Sequence, residues 1–207
     1  MNRAFALIAT FTSLALADAP WLPRVARSLQ GASGWKVELV WTSKPAAGSI
    51  ARPRTTEGEL RLSTGNRFRF TSSGFQALSD GTTAWQYTPS TGQVLVQSVA
   101  KLDPTLLPGT LLNQALAGSE TSSSQDVLDG KKTVRLELAT GKGALARFSR
   151  ATLWARVGDL RPVRLVVVDA QGAETSWDLL SWKSWKPKAD DFLWKAPTGS
   201  ETVDLRD

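Results

Sequence analysis

Ser79-Asp80-Gly81-Thr82-Thr83-Ala84-Trp85-Gln86-Tyr87-Thr88-Pro89 reads as a turn, a short strand and a second turn. Asp80-Gly81 supplies the positive φ that a tight hairpin needs, and Thr88-Pro89 stops the strand. Trp85 and Tyr87 are two residues apart, so both rings are expected on one face. Phe68 and Phe70 make a similar pair one strand earlier. Adjacent strands with large rings on a common face would build a continuous apolar wall. Such a wall either closes on a core or opens to a ligand.

The same alternation extends in both directions. Trp35, Val37 and Leu39 alternate with Lys36 and Glu38, and Leu60 and Leu62 alternate with Glu59 and Arg61. Turns fall at Ser63-Thr64-Gly65-Asn66, Ser72-Ser73-Gly74 and Thr91-Gly92. Further strands are expected at Phe75 to Leu78, Gln93 to Gln97, Val134 to Leu138, Leu153 to Val157, the β-branched run Val163 to Val168, and Thr175 to Trp182. In the last of these, alternation places Trp177, Leu179 and Ser181 on one face and Asp178, Leu180 and Trp182 on the other. Phe192 and Trp194 end the pattern. Gly118 to Gln125 reads as a polar loop.

Two segments have helical spacing. Trp21 to Gln30 repeats Leu22, Val25, Ala26 and Leu29, and Gly31 and Gly34 end it. Asp103-Pro104 opens the other, where Leu107, Leu111 and Ala115 form a stripe at four-residue spacing. Pro108-Gly109 is expected to interrupt it. The order is helix, antiparallel strands, helical break, more strands. Without βαβ alternation a parallel sheet is not expected.

Composition limits the chemistry. The 207 residues contain no His and no Cys. The commonest general base, the thiol nucleophile and most transition-metal ligands are therefore missing. Gly-x-Ser-x-Gly does not occur, and a non-catalytic protein without cofactor or metal is expected. Asp178, Asp190 and Asp191 read as turn chemistry. The formal net charge is +6. Its Lys and Arg residues are scattered, which leaves no nucleic-acid footprint. A basic surface suits anionic lipid or an acidic partner, or serves solubility alone.

Met1-Asn2-Arg3, the apolar run Ala4 to Leu16 and Ala15-Leu16-Ala17-Asp18 read as a signal peptide cleaved after Ala17. The run is shorter than the ~20 residues of a membrane span. Residues 18–207 would form one exported domain. Without disulfides, its core must suffice.

In this order, the pieces resemble the LolA-type outer-membrane lipoprotein carriers. They are the leader and first helix, Val40-Trp41-Thr42-Ser43, Gly58-Glu59-Leu60, Arg67-Phe68-Arg69-Phe70, and Ser79-Asp80-Gly81 through Trp85, Tyr87 and Pro89. Leu107-Pro108-Gly109-Thr110-Leu111-Leu112 and Asp191-Phe192-Leu193-Trp194-Lys195-Ala196-Pro197-Thr198-Gly199 complete the set. The resemblance implies a mainly β fold with few helices: a strongly curved antiparallel sheet forming an incomplete barrel, helices covering its concave face. It implies a monomeric periplasmic shuttle for acylated lipoproteins, loaded by inner-membrane machinery and unloaded at an outer-membrane acceptor. The lipid-binding candidates are Trp41, Leu60, Phe68, Phe70, Trp85, Tyr87, Leu107, Leu111 and Leu112. Replacing Phe70 by Glu is expected to abolish acyl binding and leave the fold intact.

The chain departs from the family where an Arg usually tethers the helical lid; Thr64 stands there. Alternation turns Arg67 and Arg69 away from the Phe68/Phe70 face. Other readings share the pattern: a relative that carries another lipid or glycolipid, a carbohydrate-binding β module with an exposed tryptophan row such as Trp177, Trp182 and Trp185, or an envelope-stress sensor domain.

Overall fold

The computed structural model describes residues 20–101, 108–141 and 145–206. The leader, its cleavage site, the Asp103-Pro104 helix start and Leu107 lie outside them. Helix α1 (Trp21–Ser28) precedes six strands: β1 (Gly34–Lys44), β2 (Arg54–Ser63), β3 (Arg67–Ser72), β4 (Gln76–Asp80), β5 (Thr83–Thr88) and β6 (Gln93–Ser98). Helix α2 (Pro108–Leu116) follows. Then come β7 (Glu120–Leu128), β8 (Lys131–Leu138), β9 (Phe148–Arg156), β10 (Pro162–Asp169), β11 (Glu174–Ser184) and β12 (Glu201–Asp204).

All twelve strands belong to one sheet, ordered β12-β6-β5-β4-β3-β2-β1-β11-β10-β9-β8-β7. Two antiparallel meanders meet where β1 pairs with β11. The edges, β12 and β7, do not pair with each other, so the barrel is incomplete. One face carries the core. Along it, Trp35, Val37 and Leu39 of β1 align with Leu62, Leu60 and Gly58 of β2. Phe68 and Phe70 continue that face on β3. Leu136, Leu153, Leu165 and Trp177 supply the other meander. Both helices pack on this concave side, α1 near β7 and β8 and α2 over β2 and β3.

Some of the sequence expectations are corrected here. Helix α2 begins at Pro108, so Pro108-Gly109 stands in its first turn, and the stretch ahead of it, where the interruption was expected, lies outside the described residues. Proline's fixed φ and missing N–H suit a first turn. The segment expected as a polar loop from Gly118 contains β7, an edge strand almost wholly exposed. An edge with little core to cover has no need of apolar alternation. The sheet is antiparallel throughout except at one edge, where β12 runs parallel to β6. On β11 a bulge leaves Leu180 unpaired and 62% exposed. The extra residue shifts the side-chain phase, so Trp182 joins Trp177 and Leu179 on the concave face.

Two glycines make room for this packing. A Cβ on Gly109 would lie 2.8 Å from Leu62 Cδ2, so glycine lets α2 approach the sheet closely. On Gly58 a Cβ would lie 2.6 Å from the Phe70 ring and 2.7 Å from the Thr71 carbonyl oxygen. Gly58→Ala should therefore destabilise the protein by about 1–3 kcal/mol, measured by denaturant unfolding.

Candidate lipid-binding site

The sequence expectation of one aromatic wall divides into two. Phe68 and Phe70 lie on the concave face and are buried. Across β4 their row continues through Ser79 and Ala77 to Ala84 and Gln86 of β5. Trp85 and Tyr87 therefore occupy the opposite, convex face. Both pairs obey the period of two, but the register pairs each Phe with the row of the small or polar neighbour of the β5 rings. Period alone does not fix the relative phase of two strands.

The convex rings have their own cover. Trp194 stacks on Trp85, with centroids 6.5 Å apart and planes at 6°, and also contacts Tyr87 at 6.4 Å. A 3-10 turn at Ala189–Phe192 buries Phe192. Arg69 Nε donates to the Asp191 carbonyl at 3.0 Å. Burial lowers the Arg69 pKa, Arg61 lowers it further, and Asp191 partly opposes them. Arg69 thus points away from the Phe68/Phe70 face, as alternation requires, and holds a C-terminal strap.

On the concave side, Leu60, Phe68, Phe70, Leu111 and Leu112 are brought together and nearly inaccessible. Trp41 is half-buried at the far end of β1, edge-on to Phe70 at 6.5 Å. Phe75 meets Phe70 at 6.3 Å. Because Phe70 is 0% exposed, a Phe70→Glu change would bury a charge, and the fold would not survive it unaltered. That correction follows from α2 lying over the ring row.

Sequence reasoning missed a cleft of about 600 Å³ at the opposite end of this face. Ala26 and Leu29 of α1, Trp35, Leu62, the Ser63–Asn66 turn, and Asn113 and Leu116 of α2 line it. These residues sit at element ends, where no periodicity marks them. The only sequence hints were the Gly31–Gly34 break and the Gly65-Asn66 turn.

Thr64 borders this cleft, and other groups hold α1 in place. The Glu120 carboxylate accepts the Leu22 N–H and so caps a helix whose Pro20 supplies no side-chain cap. The Trp35 indole donates to the Leu29 carbonyl at 2.8 Å, and Arg161 lies 4.1 Å over the Trp35 ring. The Ser28 hydroxyl donates to the Leu160 carbonyl at 3.0 Å. Helix α2 has no comparable polar tie among the described residues. Its Thr110 Oγ1 and Gln114 Oε1 are buried and find no partner there.

The tryptophans do not form an exposed row. Each of the nine is buried or half-buried. Trp177 is core, Trp182 packs edge-on to Trp35 at 5.8 Å, and Trp185 meets Phe192 at 5.9 Å. Among the described residues, no group of three carboxylates could hold a metal. No helix among them is long and apolar enough to cross a membrane.

The family model described as "Outer membrane lipoprotein carrier protein LolA" matches residues 44–195. The chain belongs to this LolA family of lipid- and lipoprotein-binding carriers. No curated protein matches the sequence. Among solved structures, an uncharacterized conserved protein from Thermus thermophilus is similar with TM-score 0.57 at 14% identity, over 89% of this chain and 96% of that one. A LolA superfamily protein from Nitrosomonas europaea gives TM-score 0.49 at 13% identity, over 84% and 96%. The lipoprotein LppX of Mycobacterium tuberculosis gives 0.42 at 13%, over 78% and 94%. The Thermus likeness shows the fold.

Two variants separate the covers of the two faces. Trp194→Ala should lower stability by about 1–2 kcal/mol through lost ring contacts, without changing uptake of an apolar dye. Glu120→Ala should cost about 1–2 kcal/mol and speed hydrogen exchange at the Leu22 amide, because it removes a charge-assisted cap. Chemical denaturation and exchange mass spectrometry read both.

Proposed function

We propose that this protein is a periplasmic carrier of acylated lipoproteins. Its acyl cargo occupies the concave interior after α2 withdraws. The lining would be Trp41, Leu60, Phe68 and Phe70 on the sheet and Leu111 and Leu112 on the helix. Leu107 belongs to the same proposed set by spacing. Trp85 and Tyr87, covered on the convex face, are not part of it.

The observation that carries this reading is the mismatch in how α2 is held. It covers the most apolar part of the sheet, yet it buries two polar atoms without partners among the described residues. Each buried unsatisfied group costs roughly 1–3 kcal/mol, so the closed form is destabilised where it must open. The cleft beside α2 is the part of the interior already open. From Trp35 to Trp41 the concave face runs roughly 20 Å along β1, at ~3.3 Å per residue.

The energetics suit a shuttle. A chain of ~16 carbons gains up to ~13 kcal/mol on leaving water, at ~0.8 kcal/mol per methylene. Such a chain does not cross an aqueous compartment unaided at a useful rate. A carrier must recover most of that energy and still release the chain. Displacing packed leucines offsets part of the gain and supports release. In this reading an inner-membrane machine loads the carrier, an outer-membrane acceptor unloads it, and no step requires catalysis.

Native mass spectrometry of the exported protein should show bound acyl lipid. An environment-sensitive apolar dye should bind and be displaced by a diacylated peptide. Gly109→Val should wedge α2 off Leu62 and Phe68. It should raise dye uptake while lowering stability by about 1–3 kcal/mol. Absence of bound lipid, together with no dye uptake by either protein, would refute the carrier reading.

A further inference from the structure

Trp41 on β1 and Trp177 on β11 are direct cross-strand partners at the seam of the two meanders. Both side chains lie on the concave face. Opposed residues on antiparallel strands have Cβ atoms roughly 4.5–5.5 Å apart. Both indole nitrogens are buried, and neither N–H finds an acceptor among the described residues. Trp177 is 1% exposed, whereas Trp41 is half-buried at the rim beside Phe70 and Phe75.

This arrangement is unusual within the same sheet. The Trp35 indole donates to the Leu29 carbonyl at 2.8 Å, that of Trp182 to the Pro162 carbonyl at 2.8 Å, and that of Trp154 to Asp126 at 2.9 Å. Buried indoles ordinarily find acceptors, and an unpaired one calls for an explanation. Here two stand side by side, on the face proposed to receive lipid. An indole N–H only donates, so the missing group is a hydrogen-bond acceptor. The surrounding wall is mainly apolar, with Phe70, Leu39 and Leu165 beside the pair and Thr56 opposite Trp41, which suits an acceptor carried on an otherwise apolar molecule.

We infer that Trp41 and Trp177 form a binding site for the ester carbonyl oxygens of fatty acyl groups. The inference rests on the carrier reading and deepens it. The carbonyl is the one acceptor common to the heads of acyl chains. Bound at the half-exposed Trp41 rim, it leaves the polar head facing out and sends the hydrocarbon along β1 toward the Trp35 cleft. The site reads acyl esters as a class, whether from a diacylglyceryl-cysteine lipoprotein or from a glycerophospholipid.

The test compares ester-linked ligands with ether-linked counterparts of equal chain length, in which a methylene replaces each carbonyl. One pair is a diacylglyceryl-cysteine lipopeptide and its dialkyl analogue. The other is a diacyl phosphatidylglycerol and its dialkyl analogue. Dye displacement by wild-type protein should favour the ester by about five- to tenfold in at least one pair, the size of a hydrogen bond to a previously unpaired donor. The favoured pair names the source. The Trp41→Phe, Trp177→Phe double variant should bind ester and ether equally, whatever the lost ring area does to both affinities. Retained ether binding also shows that the variant is folded.

A mutation-free reading is available from ¹⁵N-labelled indoles. Two of the indole N–H resonances should move downfield with the ester ligand and stay in place with the ether. Equal affinity for ester and ether in both pairs would overturn the inference and leave the carrier reading standing. So would a preference that survives in the double variant, since it would locate carbonyl recognition elsewhere. If no ligand of either pair binds, the carrier reading falls and this inference falls with it.

Discussion

An open sheet with one apolar face cannot leave that face in water. At about 25 cal/mol per Å² of apolar surface, the exposed concave side of this sheet would dominate the energy of the molecule. The chain meets this constraint with the stripe Leu111, Leu112 and Ala115 on α2, pressed close through Gly109. Much else follows from that contact. Phe68, Phe70 and Leu60 are buried because α2 lies over β2 and β3. The cleft exists because two short helices do not cover the full length of the face.

The two covers differ in kind. On the convex face the C-terminal strap is held by both ring stacking and hydrogen bonding, through Trp194 with Trp85 and Arg69 with Asp191. Helix α1 is fixed by three polar ties, from Glu120, Ser28 and Trp35. Helix α2 rests on apolar contact, with Thr110 and Gln114 left unsatisfied among the described residues. Apolar contact is non-directional and can be replaced by another hydrocarbon without loss. Fixed polar ties cannot. A removable lid on a permanent frame is the division of labour that the proposed acyl carrier needs. The Thr64 position also becomes intelligible. The arginine tether that the resemblance implies is absent at Thr64, and Glu120, Ser28 and Trp35 hold α1.

Corrections to the sequence reading share one cause. Trp85 and Tyr87 alternate as expected, yet they lie opposite Phe68 and Phe70 because strand register sets which rows align. Trp182 changes faces because a bulge at Leu180 inserts one residue. The polar segment after Gly118 becomes an edge strand because its neighbour β8 supplies the pairing. In each case the local pattern was legible, but its partner in space was not. The cleft and the Trp41–Trp177 pair belong to the same class, since each is assembled from elements remote in sequence.

Composition alone gave the absence of His and Cys. Local preference and periodicity were enough to establish the β meanders, α1, the apolar stripe of α2 and the family resemblance. Those properties depend on residues within a few positions of one another. Only the assembled sheet decided which rings line the interior, which are sealed beneath the strap, and where buried donors go unpaired. Side-chain period says that two residues share a face of their own strand. Long-range hydrogen bonding between strands decides which face that is, and a single inserted residue reverses it.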